Sequence, residues 1–337
     1  MALTGLEIFK LLPKTNCGKC GSPTCLAFAM RLAGKKASVD ECPDISVASK
    51  AALGAASAPP IKLVTIGAGE GKVEIGNETV MFRHEQTFYH PAALAVSLDD
   101  NDPALDARLE KIASLKIERV AQLMKVNMVA LKCVSADASK FAASAKAAME
   151  KTKLPLALVS SDPAVVEEAL KACAGQKPLI GPADAANCEK MAALAKQYSV
   201  PLAVSGRNLE ELADLSHKAA AAGAAEIVLA PIAEKLADRI AMHVQIRRLA
   251  LKKTFRPFGY PSMEFARAQA GSFHELAEAS AFLCRYGALI VLSGVEAWEH
   301  FALMTLRQNI YTDPQKPIQV ESKVYEIGAV RSHRLCW

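Results

Sequence analysis

From residue 92 onward the chain alternates between short runs of apolar residues and longer stretches in which apolar positions recur every three to four residues. The first pattern suits strands buried on both faces, and the second suits helices with one covered side. Candidate strands are 92–98, 127–134, 154–160, 178–180, 200–204, 226–229, 256–260 and 288–292. The intervening stretches are rich in Ala, Leu, Glu and Lys, and in one of them Ile232, Leu236, Ile240 and Val244 fall on a single helical face. Eight strand–helix units within about 220 residues match a (β/α)8 TIM barrel, the α/β fold expected here. A doubly wound open sheet ranks second. No GxGxxG follows the first strand, so a dinucleotide site is unsupported.

The first ninety residues have a different texture. Thr4 and Glu7 form a capping box ahead of Leu6, Ile8, Phe9, Leu11 and Leu12, predicting a short helix that ends at Pro13. Ser22-Pro23 reads as a helix start with Ser as N-cap, and Gly34 as its stop. An Ala-rich link over 51–60 leads to three strand-like runs, 63–66, 72–75 and 79–82, read as a hairpin-type element. His84 and His90 follow; with no further ligands clustered nearby, they are expected to pack rather than bind metal. Beyond residue 311 come a Pro-rich linker, a strand-like run over 318–327 and a patternless end, Ala329 to Trp337.

Composition narrows the function classes. The 337 residues suffice for two or three domains. A hydrophobic content of 51% with 22% charged residues is ordinary for a globular protein. The net charge of +5 comes from lysines and arginines spread among acids, so nucleic-acid binding is not indicated. No apolar run reaches the length of a membrane span, and the start lacks a basic, apolar leader, so the cytoplasm is the expected location.

Chemistry concentrates between Cys17 and Cys42. Four of nine cysteines lie there, as Cys17-Gly-Lys-Cys20-Gly-Ser-Pro-Thr-Cys25 and, sixteen residues on, Cys42-Pro43. Without a secretory leader, disulfides are disfavoured. Zinc sites prefer two matched pairs or a pair followed by histidines, whereas compact runs completed by a remote Cys-Pro suit iron–sulfur clusters. A [4Fe-4S] cluster on Cys17, Cys20, Cys25 and Cys42 is the favoured reading, with zinc and free thiols behind it. Cys25 would lie in the first turn of its helix, whose positive end and free amides favour an anionic cluster, while Gly18 and Gly21 let the loop wrap closely. A module this small needs such a staple. Lys14, Lys19, Lys35 and Lys36 are read first as a solvated face, and second as a docking surface for an acidic electron donor.

In a barrel, chemistry sits on the loops after the strands. Those positions hold Asp99, Asp100, Asp102, Asp137, Ser160 to Asp162, Asp184, Ser205 to Asn208, Tyr260 and Ser293. Asp102-Pro103, Asp162-Pro163 and Asn208 with Glu211 read as helix caps, which accounts for most of this ring. No catalytic set stands out, so no catalytic residue is assigned. Cys133, Cys173, Cys188 and Cys284 stand alone in apolar surroundings and are expected to be buried thiols.

Several segments carry a family resemblance. Thr4-Gly-Leu-Glu-Ile8, Asn16 to Met30, Asp40-x-Cys42-Pro43, Ala58-Pro-Pro60 and Phe82-Arg-His-Glu85 resemble the large (gamma) subunit of the corrinoid/iron–sulfur protein of the acetyl-CoA decarbonylase/synthase (Wood–Ljungdahl) system. The likeness runs from residue 1 to about Gly328. It implies a cluster domain followed by a TIM barrel, with Cys17, Cys20, Cys25 and Cys42 matching the family's cluster ligands. It further implies a methyl carrier whose corrinoid cobalt passes a methyl group from a methyl-tetrahydropterin to acetyl-CoA synthase, the cluster returning Co(II) to Co(I). Implied partners are the small subunit, the methyl-tetrahydropterin methyltransferase, acetyl-CoA synthase/CO dehydrogenase and an electron donor such as ferredoxin. In the family, a corrinoid (cobalamin) domain of roughly a hundred residues follows the barrel. Here the likeness fades near Tyr325-Glu-Ile-Gly328, so a truncated or frameshifted tail without that domain is expected. The expected divisions are 1–58 for the [4Fe-4S] cluster domain, 59–91 for the linker and hairpin, 92–311 for the barrel and 312–337 for the linker and tail. Two other readings stand beside this one: a barrel methyltransferase binding a methylated pterin with an accessory cluster, and a zinc-stapled structural protein.

Overall fold

In a computed structural model of the chain, the described residues are 4–312, apart from 34–36, 38–40, 47, 51–52, 54–58, 86–87, 89, 121 and 269–270. The strand-like run expected over 318–327 and most of the Ala-rich link lie outside the described residues.

Apolar runs with no polar alternation need cover on both faces, and parallel strands ringed by helices provide it. Eight such strands close into a barrel: β3 (Ala93–Asp99), β6 (Met128–Lys132), β7 (Leu156–Val159), β8 (Leu179–Ala183), β9 (Leu202–Gly206), β10 (Ile227–Pro231), β11 (Ser262–Phe265) and β12 (Gly287–Leu292). The closed order is β10-β11-β12-β3-β6-β7-β8-β9, all parallel. Alternate residues point inward, and many are small: Ala93, Ala95, Ala130, Ala157 and Ala203 fill the interior with Met128, Leu179, Val228, Met263 and Leu289. Their neighbours Leu94, Val96, Val129, Leu131 and Leu229 face the helices in a second, outer core. Among the described residues, no helix is long and apolar enough to cross a membrane.

The expected and observed elements differ in four places. The seventh strand is Ser262–Phe265, not 256–260, where Arg256–Phe258 forms a 3-10 turn started by Pro257. Glu264 hid the true strand, because a carboxylate in a buried strand is rare without a buried cation beside it. The run 79–82 is irregular; only β1 (Val64–Ile66) and β2 (Val73–Ile75) pair, as an antiparallel hairpin. A second hairpin, β4 (Lys116–Arg119) with β5 (Gln122–Lys125), lies between the first barrel helix and β6 and was not foreseen, its alternation being mostly polar. Finally, the helix Leu236–Lys253 buries the expected face only in part, with Leu236 and Ile240 half-buried against the outer core. Ile232 precedes it and is 48% exposed, while Arg239, His243 and Arg247 are buried along with Met242, Ile246 and Ala250.

The first hairpin acts as a stopper. Val64, Ile66 and Ile75 join the interior core. Backbone hydrogen bonds from Lys62 to Gly259 (2.9 Å) and from Gly67 to Lys177 (2.9 Å) fix it to segments that lead into strands. Glu226, just before β10, accepts the Thr65 N–H at 3.0 Å. The N-terminal end of the barrel is therefore filled.

β11 is the barrel's weak seam, joined to β10 by the single register pair Leu229–Ser262. Buried charge compensates. Arg239 reaches Glu264 of β11 at 2.8 Å and Glu278 of the helix Ser272–Cys284 at 2.9 Å, and donates to the Phe265 carbonyl at 2.8 Å. His243 contacts both Ser262 Oγ (2.8 Å) and Glu264 (3.2 Å). Burial by itself would lower the Arg239 pKa, but the two carboxylates more than offset it and hold it above the usual value. Removing one member of such a set strands the others without water. Arg239→Met is expected to lower unfolding free energy by about 3–5 kcal/mol in chemical denaturation, the range for breaking a buried ion pair. A loss below about 1 kcal/mol, the surface-pair range, would show the network to be dispensable.

Candidate metal centre

The four cysteines occupy a helical module whose core is drawn from residues 8–53: Ile8, Leu12, Phe28, Ala29 and Leu53, with Cys25 and Cys42 among them. Helix α1 (Gly5–Leu11) starts with the expected capping box, Thr4 Oγ1 accepting from Glu7 N–H and Glu7 accepting from Thr4 N–H. Helix α2 (Cys25–Ala33) starts two residues later than Pro23 would set it. Asn16 Oδ1 accepts the Cys25 N–H at 2.8 Å, and Thr24 Oγ1 accepts the Ala27 N–H at 3.1 Å. Ser22, the expected cap, instead accepts from Arg31 at 2.9 Å. Two first-turn amides expected to face a metal are thus already donated within the loop. Asn16 was missed because its capping role spans nine residues, beyond any local motif.

Two ion pairs fasten the Cys17–Cys25 loop to the segment bearing Cys42. Lys19 meets Asp44 at 3.1 Å, which raises the lysine pKa and lowers that of the carboxylate, Asp44 being further lowered by a hydrogen bond from Cys17. Arg31 meets Glu41 at 3.4 Å and also donates to the Cys20 carbonyl. Lys14 lies over the Phe9 ring. Lys14 and Lys19 thus both have partners within the module, while Lys35 and Lys36 lie outside the described residues.

Burial is graded: Cys17 is exposed, Cys20 half-buried, and Cys25 and Cys42 buried. Burial pushes the Cys42 thiol up, and the charges of Cys20, Cys25 and Cys17 push it further, so all four sulfurs lie within electrostatic reach. Yet among the described residues no three Cys, His, Asp or Glu side chains converge on a point that would hold one ion. Tetrahedral zinc at its usual bond length needs sulfurs about 3.8 Å apart. A polynuclear iron–sulfur centre spaces its ligands more widely than a single zinc ion, and Cys25 and Cys42 share one buried core with Cys20 packed against it. The loop has room for one. Gly18 and Gly21 both adopt φ of +71°, and a Cβ on either would meet nothing within 4 Å. Beside them an open cleft of about 640 Å³ runs past Cys20, Gly21, Ala27 and Arg31.

The barrel's loop acids are spent on backbone. Asp137, Asp162 and Asn208 cap the helices that follow them. Asp184 accepts from Ala186 and Asn187, and Asp100 from Val134 and Ser135. Asp102 accepts from Ala104 N–H and pairs with Arg108, the helix beginning at Leu105 rather than at Pro103. Asp99 stays exposed at the rim. His84 stacks on Phe82, centroids 5.6 Å apart, and His90 joins no group of metal-binding side chains among the described residues.

The solitary cysteines divide. Cys173 and Cys188 are buried, Cys133 half-buried, and Cys284 exposed, against expectation. Cys284 ends its helix just past Phe282 and Leu283, which take the covered side. Apolar neighbours in sequence did not reveal which way the last residue turns.

Similarities to known proteins follow the same division of the chain. The family described as "CO dehydrogenase/acetyl-CoA synthase delta subunit" matches residues 63–337, and the "Putative Fe-S cluster" family matches residues 12–43. The corrinoid/iron-sulfur protein large subunit of Moorella thermoacetica is 48% identical over 336 residues, covering 99% of this chain and 75% of that protein. The acetyl-CoA decarbonylase/synthase complex subunit gamma of Methanothermobacter thermautotrophicus is 36% identical, covering 98% and 75%. A dihydropteroate synthase from Thermus thermophilus, in complex with 6HMPPP, superposes with a TM-score of 0.50 at 18% identity, covering 66% of this chain and 94% of its own, a likeness of fold alone.

Burial sets thiol reactivity, the Cys173 thiol being pushed up to about 11 by desolvation alone. Native protein treated with a maleimide is expected to label at Cys284, with Cys173 and Cys188 labelled only after unfolding. Mass mapping that finds Cys173 modified as fast as Cys284 would contradict this burial order.

Proposed function

The chain belongs to the CO dehydrogenase/acetyl-CoA synthase delta subunit family, as a large subunit of the corrinoid/iron–sulfur protein type, and on that premise we propose that Cys17, Cys20, Cys25 and Cys42 hold a [4Fe-4S] cluster serving reductive activation of a corrinoid. When bound, the cluster supplies one-electron reduction that returns corrinoid cobalt from Co(II) to Co(I) during methyl transfer from methyl-tetrahydropterin to acetyl-CoA synthase. The observation that carries the reading is the match of residues 12–43, which contain all four cysteines, to the "Putative Fe-S cluster" family, with Cys25 and Cys42 sharing one buried core.

The chain's own residues prepare the site. Asn16 and Thr24 fix the start of α2, so that Cys25 presents its sulfur from a rigid first turn. Lys19–Asp44 and Arg31–Glu41 bring the remote Cys42 segment against the loop, closing a ring of ligands across twenty-five residues. Buried Cys25 and Cys42 keep water from one side, while exposed Cys17 leaves the other side near the surface, where an electron enters or leaves. Residues 1–58 are accordingly assigned as the cluster domain, 59–91 as a connector whose hairpin stoppers the barrel, 92–311 as the barrel and 312–337 as a linker and tail. The partners proposed are a small subunit, the pterin-dependent methyltransferase, acetyl-CoA synthase/CO dehydrogenase and a low-potential donor such as ferredoxin. A methyltransferase reading of the barrel has less behind it, since Asp100, Asp137 and Asp162 are engaged by backbone amides, leaving Asp99 exposed at the rim.

Protein produced and purified anaerobically is expected to be brown, with about four irons per chain and little zinc. Cys42→Ala is expected to lose most of the iron and visible absorbance, with the barrel's circular dichroism retained. Stoichiometric zinc without visible absorbance would overturn the assignment.

A further inference from the structure

We propose that the open, C-terminal end of the barrel is a binding site for a small aromatic monocarboxylate, held by Lys132 and Phe265. The other end is stoppered by the β1–β2 hairpin, so a ligand enters the interior only from this side. Lys132 is the last residue of β6 and continues the inward series Met128, Ala130. Its ammonium lies 5.3 Å from the centroid of Phe265, on β11, three strands away around the barrel. The lysine therefore spans the mouth, and among the described residues no carboxylate pairs with it. Beside Phe265 is an apolar recess of about 20 Å³ lined by Val159, Gly181, Ala203, Ala230, Met263 and Phe265. It has room for one water and offers that water almost no partners.

This latch is weak. A half-exposed cation–π contact is worth less than a charge-assisted hydrogen bond from the same ammonium to a carboxylate. A carboxylate arriving at the mouth lifts Lys132 from the ring and frees the face of Phe265, on which a flat aromatic body stacks with offset geometry. The recess is too small for the ring, which lies across the face of Phe265 above it, over apolar surface from Ala203, Ala230 and Met263.

Phosphate esters are the wrong class here. Barrels commonly bind phosphate on amides that follow their last strands. In this chain Glu275 already occupies that position, accepting from Ser293 N–H (2.6 Å), Ser293 Oγ (2.8 Å) and Gly294 N–H (3.1 Å). Asp100 likewise holds the Val134 and Ser135 amides after β6. Asp99, the register partner of Lys132 on β3, adds a negative charge at the rim that repels a dianion more than a monoanion.

The test is calorimetric titration of the full chain with benzoate, benzamide, acetate and inorganic phosphate as probes. Benzoate is expected to bind one-to-one, with benzamide, acetate and phosphate each at least ~10-fold weaker. Lys132→Met and Lys132→Gln are expected to weaken benzoate at least ~10-fold while leaving the melting temperature and iron content unchanged. Absence of saturable benzoate binding, equal binding by the Lys132 variants, or phosphate binding as tightly as benzoate would each overturn the proposal. Iron content is read separately, so loss of the cluster assignment leaves this result standing.

Discussion

A barrel of parallel strands has no stable edge until its last seam closes, and here the seam that decides closure runs beside β11. One register pair joins this strand to β10, too little backbone hydrogen bonding to hold it against solvent. The closure is made by side chains instead: Arg239 ties Glu264 of the strand to Glu278 of a neighbouring helix, and His243 holds Ser262. Charges so deep are tolerated only as a set: Arg239 meets Glu264, Glu278 and the Phe265 carbonyl, and His243 meets the other Glu264 oxygen. The alternating layers elsewhere, small residues inside and large ones outside, depend on this closure, since an open sheet would expose both.

The same network explains where the amino-acid pattern was legible and where it was not. Seven strands stood out because apolar runs buried on both faces carry no contrary signal. The eighth, Ser262–Phe265, carries a glutamate whose neutralising arginine lies 25 residues away, so the segment looked like a loop and the apolar-aromatic run just before it looked like a strand. The helix Leu236–Lys253 misled in the same way. Its buried stripe is Arg239, His243, Arg247, spaced four apart, while a rule that reads only hydrophobic residues picked an adjacent face. Long-range polar complementarity decides these elements, and local periodicity does not contain it.

In the cysteine module the donors themselves were legible from spacing and residue type, whereas the scaffolding around them was not. Asn16, Arg31, Glu41 and Asp44 act across separations of nine to twenty-five residues, and their roles became visible only with the loop folded. Ser22 and Thr24 both carry hydroxyls suited to a cap, and local grammar favoured Ser22 through the proline after it. The bond from Asn16 settles the competition by fixing Cys25 as the first helical residue. At the barrel mouth Asp162 and Asn208 behave oppositely: each caps the helix next to it, so short-range rules sufficed.

The stoppering hairpin has a bearing on how the chain is made. Residues 62–67 leave the ribosome early, yet their hydrogen-bond partners include Lys177, Glu226 and Gly259. The plug therefore waits, with Val64, Ile66 and Ile75 uncovered, until Gly259 has been synthesised. Long-range contacts of this kind slow folding and prolong the life of sticky intermediates. A newly started chain carries its own cork before there is a bottle, and the interval between the two is when it is most in need of a chaperone.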